Sequence, residues 1–162
     1  MKKSVALLVL LLAAMLAAVG VLPVGMPEEL SATTAQTSDG RVYAAENRDA
    51  VSRIYTLRNN EIFEVYEEFR VQGGAESRIA RVAAEKQDVY FLRAFTDGKR
   101  WELLKLADGM AAPAAQGSFE TGGTVTGLAV RNGTTYITVV HTDGTVAVYA
   151  YGNTDRTHLP SH

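Results

Sequence analysis

The 162-residue chain contains no cysteine, which excludes disulfide frameworks, thiol nucleophiles and thiolate-bound zinc. Histidine is scarce: there are three, and two of them, His158 and His162, fall in the last five residues. No Gly-x-Ser-x-Gly elbow, His-Glu-x-x-His helix, Walker loop or EF-hand loop occurs. The stretch GSFETGG at 117–123 lacks both the spacing and the strand-to-helix setting of a dinucleotide loop. No excess of positive charge is present either. Without Lys2 and Lys3 the 16 basic residues fall to 14 against 18 acidic ones, a net charge of −4. A nucleic-acid surface needs the opposite sign. Nothing in the residues implies a cofactor, a metal or a catalytic centre.

What is present begins with a long apolar run. Lys2 and Lys3 precede twenty uncharged residues from Val5 to Val24, the pattern of an export signal. Twenty helical residues span roughly 30 Å, the thickness of a bilayer's hydrocarbon core. Residues 1–25 are therefore expected to be a hydrophobic helix, either a cleaved signal peptide or a retained membrane anchor. The best cleavage site, Ala18-Val19-Gly20, is a poor one. Lysines on the short side keep that end cytoplasmic, so the remainder faces outside. Residues 26–38, small and polar, read as a linker, and residues 153–162 as a polar tail.

The region 39–152 reads as all-β. Its clearest stretch is TVTGLAVRNGTTYITVVHTDGTVAVYAY at 124–151. Asn132-Gly133 and Asp143-Gly144 accept positive φ at low cost, and they separate three apolar runs, which gives a three-stranded meander. Residues 79–98 align with 125–144 without gaps at an offset of 46, matching Ala83 with Ala129 and Tyr90 with Tyr136. The same offset matches Asp97-Gly98 with Asp143-Gly144. A more degenerate unit uses residues 41–45, 52–58 and 61–66, with Asn59-Asn60 as the turn equivalent to Asp97-Gly98. Outer strands are expected at 68–72 and 115–120, and none after the third unit. Residues 61–70 and, over one turn, 77–86 also carry helical spacing, but the repeat assigns both to strands.

The recurring Asp-Gly turn, the aromatic residue after it (Trp101, Tyr149) and the unit length resemble the β-propeller family at large, without the signature of any subfamily. The resemblance implies three four-stranded blades, the last incomplete, with binding through loops at one end. Three units leave an apolar face open, so the chain is expected to be the N-terminal part of a longer protein, with self-association through its open edge, or a sandwich or open sheet in place of blades, as the alternatives.

Individual residues admit plain structural readings. Asp97, Asp108 and Asp143 each precede glycine and fit turns. Glu67 and Glu68 are adjacent on a strand and point to opposite faces. His141, at a strand end beside the Asp143-Gly144 turn, is the one ligand candidate. Asn132-Gly133-Thr134 matches a glycosylation sequon. Repeat-equivalent aromatics fit packing between units better than a sugar-binding face. The expected role is that of a binding or scaffold module at the cell envelope, with a protein or glycan ligand and no nucleic acid. A fragment of a glycan-acting enzyme and the sensor ectodomain of a signalling receptor are the alternatives.

Overall fold

A computed structural model describes residues 33–58, 61–72, 74–152 and, for the backbone, 156–159. The expected hydrophobic helix at 1–25 lies outside the described residues. All regular structure within them is β, in three antiparallel sheets.

The first sheet comprises β1 (Thr34–Gln36), β2 (Val42–Arg48), β3 (Val51–Arg58) and β4 (Glu61–Phe69), in that order. The second runs β5 (Val71–Gln72), β6 (Ala75–Glu85), β7 (Asp88–Phe95), β8 (Arg100–Leu106) and β9 (Ala114–Glu120). The third consists of β10 (Thr124–Arg131), β11 (Thr134–Val140), β12 (Val146–Tyr151) and β13 (Arg156–Leu159). Within each sheet every strand pairs with its neighbour in sequence, because each connection is a turn or a short loop.

The second sheet is packed between the other two. On one face Phe91, Leu104 and Leu106 meet Tyr43 and Ile54 of the first sheet. On the other, Leu92, Leu103, Trp101 and Phe119 meet Val125, Ile137, Val139 and two tyrosines, Tyr149 and Tyr151, of the third. This explains the sequence of β7, DVYFLRAF. A strand covered on both faces is apolar almost continuously rather than in alternation, and its residues from Val89 to Phe95 are all buried. β6 lies against β1 and β2 on one side and β10 on the other, so the first strands of the sheets converge.

The offset of 46 has a structural counterpart. β6 is bulged between Ile79 and Arg81, and β10 between Val125 and Gly127, the positions 46 residues on. Bulges re-aim a strand locally, so their recurrence places both strands in the same bent path.

Five expectations are corrected. Residues 34–36, assigned to the linker, form β1 and pair with β2; their polar side chains hid a strand that backbone pairing supports. This moves the first unit by one strand. β4 is its outermost strand, and residues 68–72 are split between β4 and β5 rather than forming one of their own. The turn between second and third strands is therefore Asp49-Ala50, not the stretch at 59–60, and the spacings become 48 and 46. The third unit is not short of a strand, since β13 in the presumed tail pairs with β12. Finally, Trp101 and Tyr149 are not equivalent. Ala94 pairs with Trp101 across six residues, whereas Val140 pairs with Val146 across five. One residue fewer in a strand connection reverses the faces, so Val146 takes the position of Trp101, and Tyr149 points to the opposite side.

Candidate functional site

Two places gather side chains with chemical potential. The first is a cleft of about 360 Å³ between the first and second sheets, where β3 and β4 approach the loop at 107–111. Tyr43, Phe63, Val65, Val89, Leu106 and Met110 give it apolar walls. Its volume is within the roughly 300–1,000 Å³ typical of small-molecule sites. Phe63 is 44% exposed and Met110 60% exposed, so the mouth is apolar too. Asp108 and Gln87 form one polar end. Arg41 stands beside them, 3.2 Å from Asp39 and 3.7 Å from Asp108. With its amide nitrogen toward Asp108 (2.5 Å) and its oxygen toward Arg41 (3.3 Å), Gln87 bridges the two. The Tyr43 hydroxyl does most to raise the Arg41 pKa, against desolvation, with Asp39 and Asp108 adding to it. The Thr37 hydroxyl holds the Asp39 carboxyl below its ordinary value. This polar end is internally neutralised to within one charge, so it can orient a hydrogen-bonding group but does not demand an ion. The sequence carries one weak signal for the cleft: Met110, an apolar residue placed directly after the Asp108-Gly109 turn.

The second place is a buried network across the same pair of sheets. Arg93 on β7 donates to both oxygens of Glu68 on β4, its Nε at 3.2 Å from Oε1. Its other terminal nitrogen donates to Glu102 on β8 at 2.7 Å, and the Tyr66 hydroxyl donates to Glu68 at 2.8 Å. The side chain of Glu68 is only 3% exposed and that of Arg93 10%. Burial opposes the Arg93 charge, but its carboxylate partners outweigh burial and raise its pKa. Burial first, then the bond to Glu68, pushes the Tyr66 phenol far up. Glu67, the neighbour of Glu68, points the other way and pairs with Arg53 at 2.7 Å. Glu68 and Glu102 therefore share one arginine within the sheet junction, and Glu68 is closed to solvent. That arrangement fixes two sheets against each other rather than presenting acids to a substrate.

Of the residues singled out from sequence, Asp108 lines the cleft and Glu68 belongs to the buried network, while the remaining turn residues and His141 lie elsewhere. Gly98, Gly133 and Gly144 have φ of 70°, 75° and 85°, and Asn132 has 52°, in the left-handed region that favours glycine and asparagine. Asp97 accepts from the backbone N–H of Lys99 and of Arg100, both at 2.9 Å. Asp143 accepts from the Thr145 N–H and hydroxyl at 2.9 and 2.7 Å. His141 is half-buried, and its backbone closes the same turn through Thr145 and Gly144. The structure brings none of these into the cleft. Among the described residues no group of three His, Asp or Glu is placed to hold a metal ion. Of the aromatics, Tyr43 and Tyr90 are buried, and Trp101, Tyr149 and Tyr151 pack between sheets.

A clamp that sequence reading missed sits at the ends of β6 and β10. The Glu85 carboxylate accepts from the N–H groups of Asn132 and Gly133, at 2.5 and 2.7 Å. Consecutive N–H groups of a tight turn form a concave anion seat, and here a neighbouring sheet fills it.

No protein-family model matches the chain, and no curated protein is significantly similar to it. Solved structures do resemble it. One is a variant of the isopeptidase AtxE2 with Astexin3-dC4 bound, at 12% identity and a TM-score of 0.53. The likeness covers 88% of this chain and 23% of that one, so the chain shares its arrangement of sheets with about a quarter of a larger protein.

Proposed function

We propose that this chain is a β-propeller-like binding or scaffold module, the N-terminal part of a longer protein exported to the cell envelope and held there by the segment from Val5 to Val24. One observation carries the modular reading: consecutive meanders stack face to face, and the second and third share the same bulge at the same repeat position, 46 residues apart. Such a stack grows by addition of further units. The likeness to only 23% of a solved chain supports a module over a complete molecule. Export is supported by the two lysines and the uncharged run that follows them. The cleft between the first two sheets is the ligand-facing feature, suited to a mostly apolar group with a hydrogen-bonding end.

Two experiments test the reading. Intact mass and protease accessibility on whole cells address export. The expected result is an uncleaved chain whose β region is digested from outside, and loss of the first twenty or so residues would remove the anchor. The nucleotide sequence beyond the His162 codon addresses modularity. Further strands with Asp-Gly turns are expected, and an immediate stop codon would end the proposal of a longer protein.

A further inference from the structure

The outward face of the third sheet has the composition of a covered surface. Register puts Tyr136, Thr138, Val140, Val146, Val148 and Ala150 on it, and Val146 and Val148 are 47% and 37% exposed. The corresponding face of the second sheet carries Tyr90, Leu92, Trp101 and Leu103 and lies beneath the third sheet. Two departures from that pattern describe the occupant. Val146 and Thr138 stand where the second sheet has Trp101 and Leu92, so a sheet at the usual separation of about 10 Å must bring the larger side chains itself. At the turn end, Glu85 grips two N–H donors, but its counterpart 46 residues on is Arg131, on the same outward face and exposed. A guanidinium only donates. The turn opposite it must accept.

Size decides how the occupant is held. Four strands about 4.8 Å apart, of eight, seven, six and four residues, have a footprint on the order of 400 Å². A stable complex between free partners buries roughly 800 Å² on each. Tethering in one polypeptide lowers that requirement, because the entropy cost of association is reduced to loop closure.

We propose that this face seats a further antiparallel sheet of the same polypeptide, bulky and apolar where it touches the valines and bearing a carboxylate or carbonyl at the turn opposite Arg131. The inference rests on the modular reading above. Since the chain has no cysteine, a Val148→Cys substitution at this exposed position provides a unique probe. Its alkylation, read on its own peptide by mass spectrometry, is expected to slow at least about tenfold in the complete cellular polypeptide relative to the 162-residue chain. A Val71→Cys control on an exposed site of the second sheet should react equally in both. Arg131→Glu should lower the urea midpoint of the complete polypeptide and leave that of the 162-residue chain unchanged. Equal alkylation of Val148→Cys in both, in a longer protein, overturns this inference and spares the modular reading. A stop codon after His162 overturns both. A dimer of the 162-residue chain in which Val148→Cys is protected would place a second copy there and overturn the tethered sheet.

Discussion

Arg93 shows how a single residue can join two sheets at a cost that appears only when it is removed. Its guanidinium is wedged between Glu68 and Glu102, with Tyr66 completing the set. Truncating one partner of a buried pair leaves the other charged and unsolvated, at about 3–5 kcal/mol. Arg93→Ala should therefore lower stability by about 3 kcal/mol in urea unfolding, whereas the Arg93→Met, Glu68→Leu double substitution should recover most of the loss. Asn47 offers a neutral parallel. Its amide donates to the Ile79 carbonyl at 2.8 Å and accepts from the Ile79 N–H at 2.9 Å, bonding the backbone where β6 bulges. Asn47→Asp keeps the acceptor and loses the donor, and should cost about 1–3 kcal/mol by the same measurement. The opposite directions of Glu67 and Glu68 followed from strand alternation. The partner of Glu68, 25 residues away, did not, because pairing between sheets depends on stacking that local pattern does not encode.

The strands and turns were the most legible level. β7, β10, β11 and β12 coincide with apolar runs bounded on at least one side by Asn-Gly or Asp-Gly, whose backbone preference is local. β1 and β13 escaped notice because Thr-Ala-Gln and Arg-Thr-His-Leu carry no apolar period, although both pair with their neighbours through the backbone. The one-residue difference before β12 was invisible for a related reason: a turn's length is readable, but which strand face it delivers depends on pairing. The turns themselves respond to acid. Bonds from the Arg100 and Lys99 N–H groups hold the Asp97 carboxyl below its ordinary value of 3.8. A depressed folded-state value means that its contribution is complete above that value and is lost as pH falls through the folded one. Amide shifts of Lys99 and Arg100 should report a midpoint below 3.8, and Asp97→Ala should abolish the transition. Gly123, just before β10, would place an added Cβ 2.6 Å from the Val140 carbonyl oxygen. Backbone cannot yield as a side chain can, so Gly123→Ala should destabilise by about 1–3 kcal/mol, measurable as a lowered urea midpoint.

At the scale of the molecule, cohesion between sheets comes from apolar faces pinned by a few polar clamps. The Glu85 carboxylate in the turn of the third sheet is one of them. Glu85→Gln removes the charge but keeps one acceptor, and a loss of about 1 kcal/mol is expected from denaturant unfolding. The stacking order was readable from the repeat, while the cleft beside 107–111 was not, because it forms between two sheets and a loop whose approach no local pattern encodes. Sequential pairing has a consequence for biogenesis. Every strand in the described chain finds its partner within the same stretch of about forty to fifty residues, the length of one repeat unit. Each sheet can thus close as soon as it clears the ribosome or translocon, with loop-closure distances kept short. Within the described residues, each completed sheet presents one face to the sheet synthesised after it, so synthesis itself supplies the order of assembly. A pause after the second sheet would leave the face bearing Leu92, Trp101 and Leu103 uncovered, and that interval is when a chaperone would be needed most.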